Sequence, residues 1–592
     1  MIKDPTVYVV FIFYALLMLS VGVVFSRLTR NEDDFLRGGA KAAWWMVGIS
    51  IFMSNFSAWV FTGAASAVFE AGWSVMWIFW GNVAGYFICF LWLAPWFRQM
   101  RIMAQPEVLV KRYGNHLGQF YTWVFLPTAP IYPAITLLGL GIFVSTFFGI
   151  PMEPTIIVLG SVVVVYSIAG GVWATMATDF LQGVVLIPFT LLIALLCLHQ
   201  LGGFSGMLEM IDAQGLSNHF SFIQPTGQFE GNKYNWVWAL AAFLNVIKGF
   251  ISLGSAAKFR TVKDGRDARK AALMASGLFL FGSLIWFIPP AYARLLFADE
   301  VLATAVGNPA EASYAVAAIQ VLPTALLGVL IIAMLSATMS SMDTTINGVT
   351  GGLVKVAYPG LCRVLKREPT KNGKKLLMMS RVIVFLYGIS IVGLAIKFHR
   401  DGRGVFDLML GFMAFLTATG IPILWGIIIK RVPPWAPYVT IGLGMIPAII
   451  GVFSGSLFGE AWNFQTKFFV NISFGSLVFF STTFWWKGTS TAYKEKVHAF
   501  FREMKTPVDV EKEIGITSTT DCSQLRIVGA YALILSAFFA ILAALPQSAN
   551  DRLICAALAG MVFFIGIIFY FLGRRSHQRL KAAAREANLI SS

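Results

Sequence analysis

At positions 333–347 the chain reads Ala-Met-Leu-Ser-Ala-Thr-Met-Ser-Ser-Met-Asp-Thr-Thr-Ile-Asn. This polar stretch lies inside an apolar run that extends from residue 319 to residue 358. Hydroxyl groups and a carboxylate within a membrane cost free energy unless they bind a partner. Two interpretations are open at this point. Ser340 and Ser341 offer oxygen ligands to a small hard cation, or the small polar residues let transmembrane helices pack closely.

The composition of the whole chain is that of a polytopic membrane protein. Of its 592 residues, 57% are hydrophobic and 12% are charged, and the charged share is about half of that in soluble domains. The five cysteines are scattered, without the spacing of a metal site or a disulfide framework. No G-x4-G-K-[ST] motif for phosphate binding is present, so the sequence does not support transport driven by ATP.

Fifteen apolar stretches are long enough to cross a bilayer, and we number them spans 0 to 14. They cover residues 6–26, 44–72, 73–97, 118–148, 153–175, 180–201, 235–256, 271–297, 319–356, 376–397, 404–429, 435–455, 466–486, 525–546 and 552–573. Span 0 lacks a basic leader and a cleavage site, so we interpret it as a retained helix.

The basic residues alternate with the spans. Loops after spans 0, 2, 6, 8, 10 and 12 and the tail after span 14 are rich in Lys and Arg, with the loop at His399, Arg400 and Arg403 as a mild exception. Basic loops favour the cytoplasmic side, so we expect a multi-pass protein of the cell membrane with its amino terminus outside and its carboxyl terminus inside. The net charge of +16 is then explained by topology, and nucleic acid is excluded as a partner.

The loops leave little room for an enzyme. Only the loop after span 5 and the inner segment 487–524 are long, and neither has the size of a usual enzymatic domain. The spans contain no paired carboxylates, nucleophile–histidine set or metal cluster, so we predict that the protein is not an enzyme. The start of segment 487–524 is mildly amphipathic, which fits either an interfacial helix or a solvated connector.

Spans 1 and 6 contain residues that interrupt a helix. Span 1 carries Ser54, Asn55 and Ser57 near its middle, and span 6 carries Asn245 and Lys248. Discontinuous helices at the centre of a membrane line cavities and free backbone carbonyls for cations, as in secondary transporters. Because spans 1 and 6 begin five-helix groups of opposite orientation, the topology favours an inverted repeat.

Four segments resemble motifs of the sodium:solute symporter family, which includes carriers of sugars, proline, pantothenate, sialic acid and monocarboxylates. They read DDFLRGG at 33–39, QPEVLVKRYG at 105–114, YSIAGG at 166–171 followed by ATDFLQ at 177–182, and KFRTVKD at 258–264 followed by DARKA at 267–271. The resemblance extends over spans 0 to 10, roughly residues 5–430, and the fifteenth span departs from the family's usual number.

The resemblance implies an all-α membrane protein with a LeuT-like inverted-repeat bundle of five plus five helices and extra helices, about fifteen in total. Its expected parts are an amino-terminal helix and inner loop (1–42), a first repeat (43–201) and a second repeat (235–430). Four further helices with the inner segment and a short cytoplasmic tail complete the chain (431–592).

The resemblance also assigns a sodium site between spans 1 and 8. Its five ligands would be the backbone carbonyls of Met53, Phe56 and Ala337 and the side-chain oxygens of Ser340 and Ser341. Sodium would be the coupling ion, and no other cofactor is expected. In this setting the cation interpretation of Ser340 and Ser341 is favoured over helix packing.

Two further acids have open roles. Asp179 matches a family Asp at the start of span 5, where it would help sodium leave or form a second site, or would cap the helix beside Thr178. Asp343 is the second candidate for sodium exit or a second sodium site, and it would bind in the outer shell of the cation or pair with Lys248.

The predicted substrate residues are Asn55, Ser57, Trp59, Asn245 and Lys248. A lysine at this depth is a functional candidate, and it would pair with a substrate carboxylate or with a buried acid. Three positions that hold polar sugar ligands in the family's sugar carriers fall on or near Val60, Val75 and Leu410. A sugar would leave hydroxyls unpaired there, so a carboxylate or amino-acid-like solute is favoured over a sugar or polyol.

Other classes remain as alternatives. The bundle could act as a transporter-like solute sensor that signals through segment 487–524, although no output domain follows span 14. A sodium leak or channel is a third possibility. The sequence does not define the oligomeric state, and the expected partners are sodium, a small solute and the lipid bilayer.

Overall fold

The computed structural model describes residues 40–102, 107–169, 172–251, 258–304, 306–513, 520–544 and 548–590, together with Val9, Ile12, Phe13, Leu16, Leu17 and Ser20. Motif 33–39 and parts of the motifs at 105–114 and 166–171 lie outside these residues, as does most of the predicted segment 1–42. Within the described part the chain is helical and contains no strand, only an isolated bridge between Ala42 and Val262.

The first half begins with a broken helix. Its helices are α1 (Trp44–Asn55), α2 (58–71, with a π-helical turn at Val60–Ala64), α3 (76–99), α4 (Glu107–Tyr113), α5 (Asn115–Phe125), α6 (Ile131–Phe148), α7 (Met152–Ala169), α8 (Val172–Gln200) and α9 (Gly203–Ala213). Span 3 was predicted as one helix, but the chain turns between α5 and α6 at 126–130. Pro127 and Pro130 in this turn lack the backbone N–H that a continuous helix needs.

The described residues of the second half are also mainly helical. Its helices are α10 (Trp236–Phe250), α11 (Gly265–Trp286), α12 (Ile288–Leu296), α13 (Ala298–Leu302), α14 (Ser313–Val321), α15 (Thr324–Gly352, continued to Val364), α16 (Gly373–Arg400), α17 (Val405–Phe415) and α18 (Thr417–Gly426). A bend of 51° separates α17 from α18.

Six helices follow. They are α19 (Ala436–Phe458), α20 (Phe464–Ser481), α21 (Thr491–Lys505), α22 (Val510–Glu513), α23 (Thr520–Ala544) and α24 (Ala549–Ile590). Short 3-10 turns lie at Gly72–Val75, Glu230–Asn232, Pro309–Ala312 and Thr482–Gly488.

The described residues contain ten helices that are long and apolar enough to span a membrane, or eleven when α17 and α18 count as one span. The other four predicted spans do not appear as separate helices in this set. Span 0 falls mostly outside the described residues, span 1 is divided between α1 and α2, and span 4 corresponds to α7. Span 6 corresponds to α10, which ends at Phe250 before the undescribed residues 252–257.

Helix α15, which contains the polar stretch 333–347, lies at the centre of the bundle. It is almost wholly buried and packs against α1, α6 and α8. In contrast, α16 and α24 are largely exposed on their outer faces, as expected for helices that contact lipid. The hydroxyl groups of α15 therefore face other helices rather than the bilayer.

The packing of helix α21 differs from both interpretations of the inner segment 487–524. Its apolar face, Val497, Phe500, Phe501 and Met504, is buried against the protein, next to α4 and the end of α3. Lys111 and Glu503 form an ion pair of 2.7 Å across this contact. The segment is therefore neither an interfacial helix nor a solvated connector over residues 491–505.

Candidate functional site

The site is built around the break between α1 and α2. Phe56 adopts an extended conformation, with φ −108° and ψ 123°, so the helix stops after Asn55 and restarts beyond Ser57. The Ser57 side chain accepts a hydrogen bond from the backbone N–H of Trp59 at 3.3 Å. A helix that stops within a membrane leaves backbone carbonyls at its end without intrahelical partners, and these are potential cation ligands.

Two hydrogen bonds hold this break against α15. The backbone N–H of Ala58 donates to the Thr338 hydroxyl at 3.1 Å, and the hydroxyls of Ser54 and Thr344 are 3.2 Å apart. The residues between Thr338 and Thr344 on α15, Ser340 and Ser341 among them, therefore lie alongside the break.

Ser340 and Ser341 differ in their hydrogen bonding. Ser341 donates to the carbonyl of Thr338 at 2.9 Å. Ser340 is 2% exposed, and its hydroxyl has no hydrogen-bond partner among the described residues. A buried hydroxyl without a partner is costly, and it fits a ligand that binds from the side of the break.

The predicted carbonyl ligands are buried at the same junction. Met53 and Phe56 flank the break, and Ala337 lies one turn before Ser341. The Met53 carbonyl accepts a hydrogen bond from Phe56 N–H at 3.1 Å. Carbonyl and hydroxyl oxygens are the ligands that hard cations prefer, so the residues present fit a sodium ion.

A cavity of about 430 Å³ opens beside this junction. Its wall includes all five predicted substrate residues, Asn55, Ser57, Trp59, Asn245 and Lys248, together with Ser341. The structure thus brings residues of α1, α2, α10 and α15 to one space of the size of a small organic molecule.

Trp59 in the cavity wall belongs to a cluster of aromatic rings that we call the aromatic lid: Trp59, Tyr234, Trp238 and Phe406. Phe406 stacks on Trp59 with centroids 6.1 Å apart and lies 6.3 Å from Trp238. The wall continues in the other direction to Tyr121, Gly352 and Ile423, toward the ends of α5, α15 and α18 that join the basic loops. The lid therefore borders the cavity at Trp59, and the cavity wall extends from there toward the basic end of the bundle.

Two tyrosines in the cavity wall were missed by sequence reasoning. Tyr86 OH accepts a hydrogen bond from Asn55 Nδ2 at 2.6 Å, and Tyr132 lines the same cavity as Ser57. Both tyrosines lie in apolar spans outside the family motifs, so no sequence signal marked them. Tyr86 thereby orients one of the predicted substrate residues.

Lys248 does not pair with Asp343, so that predicted ion pair is wrong. The ammonium donates to Asn245 Oδ1 at 2.8 Å, Thr417 Oγ1 at 2.7 Å and the Met413 carbonyl at 3.2 Å. Within the described part of the chain no carboxylate contacts it. Asp343 instead accepts a hydrogen bond from Ser167.

Asp179 is also not a helix cap, because it is the eighth residue of α8. It forms an ion pair of 3.1 Å with Lys258 and accepts a hydrogen bond from Ser50. The Lys258 ammonium also donates to Ser50 at 2.8 Å. Of the two acids that the sequence assigned to sodium exit or a second sodium site, Asp179 is thus held by Lys258 and Ser50, whereas Asp343 is held by Ser167.

Comparison with known proteins agrees with this architecture. The sequence model of the sodium:solute symporter family matches residues 35–434. The chain is 22% identical over 456 residues to the sodium/glucose cotransporter 2 of Rattus norvegicus, a match that covers 70% of this chain and 66% of that protein. It is 21% identical over 474 residues to the sodium/sialic acid symporter SiaT of Proteus mirabilis (strain HI4320), covering 77% and 90%.

A third relative is the osmoregulated proline transporter OpuE of Bacillus subtilis (strain 168), 22% identical over 454 residues that cover 75% of this chain and 88% of that protein. Among solved structures, the substrate-bound outward-open state of a Na⁺-coupled sialic acid symporter superimposes with a TM-score of 0.68 at 19% identity. That match covers 82% of this chain and 98% of that one, and it shows that the bundle has the LeuT-like fold.

The family match begins at residue 35, so span 0 lies outside it, and it ends near the predicted limit at 430. It extends over more than half of the 592 residues. The chain belongs to the sodium:solute symporter family.

Proposed function

We propose that the protein couples sodium entry to the uptake of a small organic solute, preferably a carboxylate or amino-acid-like solute, by alternating access. One observation carries this proposal. The Ser340 hydroxyl is buried without a partner among the described residues, on the helix that Thr338 joins to the α1–α2 break, and the adjacent Ser341 lines the cavity whose wall also includes Lys248. Cation ligands and a candidate solute site therefore share one wall.

The coupling follows from the position of the break. A sodium ion held by Met53, Phe56, Ala337, Ser340 and Ser341 would join the α1–α2 break to α15 and thereby favour the arrangement that binds solute. Such coupling is a difference in affinity between two states of the protein. Each sodium ion that enters gains roughly 2.3 kcal/mol per 100 mV of membrane potential, which is enough to concentrate a solute.

The charge of Lys248 favours an anionic solute. Its three hydrogen-bond acceptors are neutral, so the positive charge in the cavity wall is not balanced by a contacting acid among the described residues. The rest of the wall is mainly apolar and aromatic. A molecule with one carboxylate and a compact body matches this combination.

The direct test is uptake by proteoliposomes under an inward sodium gradient. Radiolabelled acetate, pyruvate, L-proline and sialic acid would be compared with glucose, each with sodium and with potassium. We expect sodium-dependent uptake of at least one carboxylate and a marked loss of its affinity in Lys248→Gln. Unchanged anion affinity in that variant would remove Lys248 from the substrate site.

Sugar or polyol transport is the second candidate, because several relatives are named as sodium/glucose or sodium/myo-inositol cotransporters. Asn55, Ser57 and Asn245 offer hydrogen-bonding groups in the wall. Sodium-dependent glucose or inositol uptake without carboxylate uptake would favour this candidate.

The orientation is part of the proposal. The basic loops place the amino terminus outside and the carboxyl terminus in the cytoplasm of a cell-membrane protein. With the lid closed and the cavity extended toward the basic end, the structure then corresponds to an inward-facing state. Asp179 and Asp343 would lie on the sodium exit route, with Lys258 paired to Asp179.

A further inference from the structure

The bend between α17 and α18 is held by side chains from other helices. Carbonyls in the last turn of a helix lack intrahelical partners. At this bend the Met413 carbonyl accepts from Lys248 at 3.2 Å and from the Thr417 hydroxyl at 3.3 Å. The Ala414 carbonyl accepts from Asn471 Nδ2 of α20 at 3.1 Å. Insertion of side chains into the backbone ladder is a recognised cause of helix bending.

Lys248 uses its complete hydrogen-bonding capacity in this position. An ammonium group has three donors, and the three acceptors are Asn245 Oδ1, Thr417 Oγ1 and the Met413 carbonyl. Two of the three belong to the bend. The charge also lies at the carboxyl end of α17, where the helix dipole favours a cation, and 5.9 Å from the ring centre of Phe468.

Helix α17 carries one member of the aromatic lid, Phe406, on its first turn. Phe406 stacks on Trp59 and lies near Tyr234 and Trp238. Lys233 pairs with Asp407 at 2.8 Å on the same turn. A rotation of α17 about the bend near Leu416 would separate Phe406 from the other three rings and so open the lid.

We propose that Lys248 is a positioning residue that clamps this bend at the angle that closes the aromatic lid. A substrate carboxylate would relieve the clamp by drawing the ammonium away from Met413 and Thr417. Substrate binding and lid movement would then be linked through one side chain. The carboxylate part rests on the proposed function, whereas the clamp itself rests on the contacts of Lys248 alone.

The clamp can be tested without any substrate. Spin labels at the exposed positions Gln228 and Arg403, in a background without the five native cysteines, report the distance across the lid by pulsed electron resonance. Thr417→Val removes one hydrogen bond to the ammonium, and Lys248→Met removes the charge at similar length. We expect about a tenfold rise in the ratio of open to closed lid, as for the loss of one hydrogen bond to a charged group.

Two variants serve as controls. Thr417→Ser keeps the hydroxyl and should keep the distance distribution of the parent protein. Thr419→Val removes a hydroxyl that donates to the Leu416 carbonyl within the same helix and should leave the ratio unchanged. Monodisperse elution in detergent establishes that each variant is folded, and Lys248→Gln, which also removes the charge, replaces Lys248→Met if the latter is not.

Unchanged distributions in both Thr417→Val and the Lys248 variant would overturn the clamp. An equal shift in Thr419→Val would overturn it as well, because the effect would then not depend on Lys248. Addition of acetate, pyruvate, L-proline or sialic acid with sodium tests the carboxylate part. If none is taken up and none opens the lid, the carboxylate assignment in the proposed function fails while the result on the clamp stands.

Discussion

Ala58 and Thr338 are joined across the α1–α2 break by a hydrogen bond of 3.1 Å from the Ala58 backbone N–H to the Thr338 hydroxyl. A residue of α15 therefore satisfies an N–H at the start of α2, which has no partner within its own helix. The break and the polar stretch of α15 are a single structural unit.

The first prediction concerns this bond. Thr338→Val should leave the Ala58 N–H unsatisfied at a fully buried position and lower the free energy of unfolding by about 1–3 kcal/mol. The thermal unfolding midpoint of the purified protein measures the loss. Thr338→Ser retains the hydroxyl and should recover most of the lost stability. Equal unfolding midpoints for the Val and Ser variants would contradict the role of the bond.

Ser340 is the residue by which the sodium site can be tested. Ser340→Ala should raise the sodium concentration for half-maximal uptake by about tenfold, which corresponds to a loss of roughly 1.4 kcal/mol in the free energy of sodium binding. The double variant Ser340→Ala with Ser341→Ala should raise this concentration further. Thr350→Val is a matched control, because the Thr350 hydroxyl is also buried on α15 without a partner in the described residues. A similar change in both variants would argue against a local sodium ligand.

The Asp179–Lys258 pair should behave as a buried ion pair. The two side chains are 0% and 11% exposed, so removing one charge leaves the other unpaired and should cost about 3–5 kcal/mol of stability. The double variant Asp179→Asn with Lys258→Met should be more stable than either single variant. Thermal unfolding of the three variants measures this coupling, and additive losses would show that the pair does not act as a unit.

An exposed pair gives the comparison for that experiment. Arg400 and Glu153 approach to 2.8 Å but remain 66% and 40% exposed. Exposed pairs contribute little to stability, so Glu153→Gln should leave the midpoint unchanged. A large loss in this variant would indicate that the assay responds to any charge change.

The buried carboxyl group of Glu311 should make the free energy of unfolding depend on pH. It lies in the turn Pro309–Ala312, between the spans, and accepts a hydrogen bond from the Val405 backbone N–H. Burial raises the pKa of Glu311 to about 8, and the Glu70 and Asp407 carboxylates act in the same direction. The folded protein therefore holds this proton more tightly than the unfolded chain does, and the free energy of unfolding should fall as pH rises from about 4.5 to about 8.

Glu311→Gln should flatten this part of the pH profile, because glutamine does not ionise but still offers an oxygen to Val405. Thermal midpoints between pH 5 and pH 8 for the two proteins provide the measurement. Glu300→Gln, which changes an exposed acid on the helix that packs against the same turn, should leave the slope intact. The prediction fails if the slope of the Glu311→Gln variant equals that of the parent.

Local patterns were sufficient to predict the fold class. The alternation of basic loops with apolar spans indicated a multi-pass helical protein, and Ser54, Asn55 and Ser57 indicated the broken helix that the structure shows. The prediction of span 3 as one helix was wrong because hydropathy continues through the turn at 126–130, where prolines end the hydrogen-bond ladder.

The partners of the charged residues could not be predicted from local patterns. Lys248 is held by Thr417, 169 residues away, and only after the bend between α17 and α18 has brought that hydroxyl into reach. Asp179 and Lys258 are 79 residues apart. Depth in the membrane identified each charge as unusual, but its neighbours depend on how the helices pack.

Asn471 and Phe468 have a consequence for the boundaries of the protein. Both lie on α20, beyond residue 434 where the family match ends, yet Asn471 supplies the partner of the Ala414 carbonyl. A chain shortened to residue 434 would leave that carbonyl facing hydrocarbon, which contains no donor, and would lack the Phe468 ring beside Lys248. Residues 35–434, which the family model matches, are therefore not an independent structural unit in this protein. Exchanging this segment between relatives would require α20 to be exchanged as well.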